Sequence, residues 1–122
     1  MKTAKDYLEA ANREVPRMSA DDAIKRHGTD AVFIDVRDSA GIAESGTIKG
    51  ALKIPRGMIE FVADSNTSFH NSALQPDADI YLVCGAGGQA ALAGATLKEM
   101  GFKSVTNIGG FGDWKDAGGP VE

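Results

Sequence analysis

Residues Ile80 to Gly101, IYLVCGAGGQAALAGATLKEMG, constrain this chain most: they read as a buried strand entering a glycine-rich loop and leaving it as an amphipathic helix. Ile80, Tyr81, Leu82 and Val83 form the apolar, partly β-branched run expected of a parallel strand covered on both faces, and the run stops at Cys84. From Ala90 onward Leu92, Ala93, Thr96, Leu97 and Met100 recur at helical spacing, and Gly101 supplies the left-handed residue that ends many helices. Between strand and helix lie Gly85, Ala86, Gly87, Gly88 and Gln89, whose small side chains let the backbone curl and turn N–H groups inward. A curled loop running into a helix N-terminus favours negative charge, through unpaired donors and the helix dipole together.

Cys84, the only cysteine, stands at the edge of that loop. The thiolate is the reactive form of cysteine, and donors aimed at the sulfur favour it. The functional reading is a nucleophilic thiolate, or a persulfide formed on it, cradled by the N–H groups of Gly85, Ala86, Gly87, Gly88, Gln89 and Ala90. The structural reading is a cysteine packed as a small hydrophobe at a strand end. A structural cysteine does not require a loop of glycines beside it, so the functional reading is preferred. One unpaired cysteine rules out an internal disulfide and leaves intermolecular sulfur chemistry open.

The rest of the chain reads as support. Thr3 to Ala11 places Ala4, Tyr7, Leu8 and Ala11 on one helical face, for packing on the body or for a second subunit in a homodimer. Val15 to Met18 is an expected edge strand, kept from the sheet centre by Pro16. Ser19 reads as the N-cap of a helix Ala20 to His27, with Asp22 at the capping-box position and Gly28 as its stop. Ala31 to Val36 is a second buried strand. Strands alternating with helices imply parallel pairing, so both strands release their C-terminal ends at one edge, where ligand sites of open α/β sheets collect.

Asp35, Arg37 and Asp38 leave that second strand and read as a self-satisfying ionic cluster with a structural role. No metal site is expected, because no histidine or carboxylate cluster has ligand spacing. Ala51 to Ile54 is a short strand, and Met58 to Ala63 a short helix. Arg56 is a candidate for holding an anionic donor near Cys84, or else a surface arginine paired with Glu60. Asp64 to Asp79 is a polar, turn-rich connection in which His70 reads as solvated. Lys103 to Asn107 follows as a strand, Gly109 and Gly110 mark the turn out of it, and Phe111, Trp114 and Ala117 share helical spacing with the tryptophan as a core anchor.

These motifs, in this order, resemble a rhodanese domain. The second half of that family carries C-x-x-G-x-R, a helix, a GF-x-x-V-x-x-x-x-GG stretch and a W-x-x-x-G-x-P-V ending; here the chain has CGAGGQ and GFKSVTNIGGFGDWKDAGGPVE. FIDVRDSAGIAESGTIKGALKIP is similar to the family's DVR…G-H-I-x-G-A-x-x-x-P segment. The match runs from Val15 to Glu122 and leaves residues 1–14 as an N-terminal helical arm. The resemblance implies a single α/β domain with a central, mostly parallel sheet of about five strands and helices on both faces. It implies a sulfurtransferase without a cofactor, in which Cys84 carries sulfane sulfur from thiosulfate or a polysulfide to a thiol, cyanide or sulfide acceptor. A non-catalytic module that senses sulfur or binds a partner is the alternative.

Two positions depart from the pattern. Thr47 stands where the family has histidine, and Gln89 where it has the loop arginine. The loop therefore carries no cation, and dianionic thiosulfate should be held weakly unless Arg56 or another cation reaches it. Phosphatases and arsenate reductases on related scaffolds need C-x-x-x-x-x-R; the sixth residue after Cys84 is Ala90, which argues against them. At 122 residues and a net charge of −4 the chain is one domain without the basic surface of a nucleic-acid binder. It has no apolar run long enough to span a bilayer and no signal-peptide core, so a cytoplasmic location is expected.

Overall fold

Four strands pair side by side in one parallel sheet, and a computed structural model describes them with the rest of residues 1–122. In chain order the elements are α1 (Ala4–Glu14), α2 (Ala20–Ile24), β1 (Val32–Asp35), α3 (Ser39–Ser45), β2 (Leu52–Lys53) and a 3₁₀ turn (Arg56–Met58). They continue with α4 (Ile59–Ala63), β3 (Asp79–Cys84), α5 (Gly88–Glu99), β4 (Ser104–Gly110) and α6 (Phe111–Asp116). The strand order is β2-β1-β3-β4, with every neighbour parallel.

Alternation along the strands builds two cores. Ile34, Ile80, Leu82 and Cys84 face one side, where they meet Ala90, Ala93 and Leu97 of α5 and Ile59 of α4. Phe33, Tyr81 and Val83 face the other, against Ala23 of α2 and Phe111 and Trp114 of α6. Phe33 stacks on Tyr81 at 5.2 Å between ring centroids, and the Trp114 indole N–H donates to the Pro120 carbonyl, so the tryptophan is an anchor as expected.

About five strands were expected and four form. The missing one is Val15 to Met18, reduced to a single bridge between Arg17 and Asn107. The Asn107 N–H donates to Pro16 O and the Met18 N–H to Asn107 O, at 2.9 and 3.0 Å. The ladder cannot lengthen, because the Val15 N–H closes α1 on Ala11 O and Ser19 is already the N-cap of α2. Helix α2 is shorter than the expected Ala20 to His27: beyond Ile24 the chain tightens into turns, with Arg26 and His27 N–H groups bonding three residues back. Helix α3 was not expected, since SAGIAES offers one buried apolar residue, Ile42, and no stripe. Gly109 and Gly110 belong to β4 instead of ending it.

Helix α1 opens on a capping box between Thr3 and Asp6 that was not expected from the sequence, and it lies along α5. The two are joined closely at Val15: a Cβ on Gly94 of α5 would sit 2.9 Å from both Val15 methyls and 3.3 Å from Leu82. Glycine at position 94 is what lets α5 lie flat between the sheet and the arm.

Candidate active site

Strand β3 delivers Cys84 to the C-terminal edge of the sheet on the α5 side, with its sulfur under the loop that follows. Sγ accepts N–H hydrogen bonds from Gly87 at 3.0 Å and from Ala90 at 3.4 Å. Gly87 makes this possible: at φ +101° it holds the left-handed conformation that glycine tolerates, and it turns the chain from loop to helix. Its carbonyl takes the Ala91 N–H at 3.0 Å as the first bond of α5. The amides of Gly88, Gln89 and Ala90 therefore have no partner within the helix. Of the six loop amides singled out in the sequence, those of Gly87 and Ala90 reach the sulfur, whereas Gly85, Ala86, Gly88 and Gln89 make no bond to it. Cys84 is 1% exposed while Gly85, Ala86 and Gln89 are exposed, so the sulfur lies on the floor of a small ring with a solvent-facing rim.

The far wall of the ring is strand β4, and its shape comes from a bulge. Leu82 pairs with Asn107 but Cys84 pairs with Gly110, so β4 carries one extra residue at the level of the sulfur. Gly109, at φ +84°, absorbs it. Gly110 then lies so close beneath the loop that a Cβ there would meet Gly85 O at 2.5 Å. Asn107, fully buried, ties the two together: its amide NH₂ donates to Gly87 O and its amide oxygen accepts from the Gly109 N–H, each at 2.9 Å. Sequence reasoning passed over Asn107. The signal was there, in a lone carboxamide set between Thr106 and Ile108 in an expected strand.

Arg17 was passed over too. The bridge to Asn107 brings it to this edge, and its guanidinium lies on the loop: a Cβ built on Gly87 would be 2.6 Å from Nη1, and one on Gly109 would be 3.1 Å from Nη2. Arg56, the cation considered from sequence, is engaged elsewhere. Nη1 pairs with Glu60 at 3.1 Å and Nη2 donates to Thr96 at 3.0 Å, on the second turn of α5 beyond Gln89. Arg56 and Gln89 line the largest concavity, an open groove of about 1080 Å³ that lies between α1 and α5 and is not lined by Cys84. His70 sits in the connection before β3, with its ring nitrogen 3.4 Å from Leu74 O.

The neighbouring strand end is closed. Asp35 is fully buried and accepts from the Arg37 backbone N–H, Nε and Nη2 and from the Thr47 hydroxyl at 2.7–3.2 Å. Arg37 also donates to Ser45 and to Gly46 O, and covers the Phe111 ring at 4.7 Å. The expected three-residue cluster is thus a pair. Asp38 points away from it and caps α3 by accepting the Gly41 N–H at 2.9 Å, because the chain turns into a helix one residue after Arg37. Thr47, in the place of the family's histidine, supplies a hydroxyl to Asp35.

Residues 19–117 match the family model of the rhodanese-like domain. The chain belongs to the rhodanese-like family. This rhodanese-like chain is 37% identical, with a TM-score of 0.93, to the structure of "Protein of Unknown Function RPA3614, Possible Tyrosine Phosphatase" from Rhodopseudomonas palustris, covering 100% of this chain and 96% of that one. It is 31% identical, with a TM-score of 0.76, to the polysulfide-sulfur transferase homodimer of Wolinella succinogenes, over 97% of this chain and 85% of that one. A curated relative, "Putative sulfur carrier protein YrkF" of Bacillus subtilis, is 33% identical over 83 residues, which are 67% of this chain. The match spans 40% of that protein's length. No helix of the chain is long and apolar enough to cross a membrane.

Proposed function

We propose that this rhodanese-like domain is a sulfurtransferase that moves sulfane sulfur from thiosulfate or a polysulfide to a thiol, cyanide or sulfide acceptor through a persulfide on Cys84. The single observation that carries the reading is the pair of backbone donors, Gly87 and Ala90 N–H, on the Cys84 sulfur within a ring whose rim meets solvent. Negative charge stays on sulfur through both halves of such a cycle. With thiosulfate, the Cys84 thiolate attacks the outer sulfur; a new S–S bond forms, the old one breaks, and its electron pair leaves with sulfite. The anionic persulfide then gives its terminal sulfur to the acceptor and the thiolate returns. Fixed amides aimed at that charge need no reorganisation, the sulfur counterpart of an oxyanion hole, and loss of one such donor costs about 2.7–4 kcal/mol in enzymes where it has been removed. The transferase named for the Wolinella succinogenes relative supports the same chemistry, with polysulfide as one donor to try.

Ala90 weighs against phosphate ester hydrolysis, the activity suggested in the description of the Rhodopseudomonas palustris relative. It occupies the sixth position after the cysteine, where an arginine would have to grip a tetrahedral oxyanion, and its N–H is directed to Sγ. A non-catalytic sulfur-sensing or partner-binding module is separated from a transferase by turnover. Intact mass spectrometry of the protein exposed to polysulfide should show one added sulfur atom, lost again on adding a thiol, and Cys84→Ala should show neither the added mass nor sulfur transfer. Uptake of sulfur without release to any acceptor would favour the sensing module, and wild-type transfer by Cys84→Ala would refute the role of the cysteine.

A further inference from the structure

Anionic donors need a cation that the loop itself lacks, since Gln89 is neutral and Arg56 is held by Glu60 and Thr96. Arg37 is held by Asp35. We propose that Arg17, supplied from the segment between α1 and α2, is the residue whose charge draws the anionic sulfur donor to Cys84. This rests on the sulfur-transfer reading above and names a binding residue for it.

Three observations carry the assignment. First, the guanidinium is seated on the loop itself. Cβ positions built on Gly87 and Gly109 fall 2.6 and 3.1 Å from its nitrogens, so side chains at either place would displace it. Gly87 N is in turn 3.0 Å from Sγ, which puts the charge within about 8 Å of the sulfur by ordinary bond lengths. Second, the group is unengaged. The four salt bridges use Lys5, Lys25, Arg37 and Arg56, and the Arg17 side chain enters none of the hydrogen bonds that hold the edge together. The residue is exposed, and its charge has no carboxylate within ion-pair distance. Third, its backbone is fixed. The bridge to Asn107 flanks Arg17 with hydrogen bonds at Pro16 and Met18, and Asn107 also pins the Gly87 carbonyl, so one buried amide positions both the cation and the loop.

At φ +101° the Cβ direction of Gly87 is opposed to its N–H, so the guanidinium packs on the outer side of the loop while the amide faces the sulfur. From there the charge acts across the Gly87 backbone, at a separation within about 8 Å, on a dianion such as thiosulfate whose outer sulfur meets Cys84. The thiolate gains the outer sulfur and sulfite leaves with the electron pair of the broken S–S bond, both anions lying in the field of the Arg17 charge.

Arg17→Gln should lower kcat/KM for thiosulfate about tenfold at low ionic strength, with the deficit shrinking as salt is added, because an exposed charge at this distance is screened. Arg17→Lys should keep most of the efficiency. A second readout needs no turnover: the ratio of Cys84 alkylation rates by anionic iodoacetate and neutral iodoacetamide cancels the thiolate fraction and reports local charge alone. That ratio should fall severalfold in Arg17→Gln and stay near the wild-type value in Arg17→Lys. A folded Arg17→Gln protein that keeps the wild-type value of either the thiosulfate efficiency or the alkylation ratio overturns the proposal, while persulfide formation on Cys84 would still stand. Failure of the wild type to take up sulfur from any donor would instead remove the transfer reading, and this assignment with it.

Discussion

Strands β1 and β3 lie side by side and end at the same edge of the sheet, yet they end in opposite ways. At the end of β1 the carboxylate of Asp35 is closed by four donors from Arg37 and Thr47, buried, with its partner arginine capped in turn by Ser45, Gly46 and the Phe111 ring. At the end of β3 the sulfur of Cys84 has two backbone amides and a ring of exposed small residues. Both places gather polar groups on a low-dielectric floor. The first has satisfied every one of them internally, which is what a structural cluster requires. The second holds amide donors that the helix cannot use and a lone thiol beneath them, which is what the proposed chemistry requires. Position at the functional edge of an α/β sheet does not by itself distinguish the two; the completeness of the hydrogen bonding does.

Exchanging the consequences at the two strand ends is the strongest way to break this contrast. Cys84→Ala should reduce sulfur transfer to background, a loss of several orders of magnitude, while leaving the denaturant midpoint close to wild type. Asp35→Ala should do the reverse. Removing one partner of a buried pair strands Arg37 and costs about 3–5 kcal/mol, read as a lower urea midpoint, whereas turnover per folded molecule at low temperature should stay within about twofold. If Asp35→Ala proves as stable as wild type but inactive, the assignment of roles to the two strand ends is wrong.

Asn107 sharpens the contrast because it serves both purposes. Its side chain is buried and satisfied at both ends, like Asp35, but what it holds is the loop around Cys84. Asn107→Ala leaves Gly87 O and Gly109 N–H unpaired, at a cost of about 1–3 kcal/mol for such a buried group. It also frees the Gly87 amide to drift from the sulfur, for which we expect about a tenfold fall in kcat. Steady-state kinetics on the folded variant check this, and a loss of stability with full kcat would make Asn107 purely structural.

The parts of this architecture that were legible in the sequence were those written in local pattern. The apolar runs ending at Asp35 and Cys84, the cap at Ser19, the glycine loop and the tryptophan anchor each carry their signal within a few residues. What was hidden depended on register or on distant pairing. The bulge that carries β4 through Gly109 exists because Leu82 pairs with Asn107 and Cys84 with Gly110, which no stretch of β4 states alone. Helix α3 lacked an apolar stripe. Asp38 looked like a third member of the ionic cluster because an N-cap and an ion-pair partner use the same residue type. Arg17 was illegible as a site residue for a simpler reason: 67 positions separate it from Cys84, and one backbone bridge brings them to the same edge.

Sulfur transfer by this domain requires loop amides that hold charged sulfur. Backbone ¹⁵N–¹H correlation spectra of the protein before and after stoichiometric sulfur loading test it most directly, with Cys84→Ala as the control. We predict that the largest amide shift changes fall on the loop from Gly87 to Ala90, reverse when a thiol removes the sulfur, and are absent in the variant. Loading that leaves the Gly87 and Ala90 amides unmoved, with the largest changes elsewhere in the domain, would contradict it.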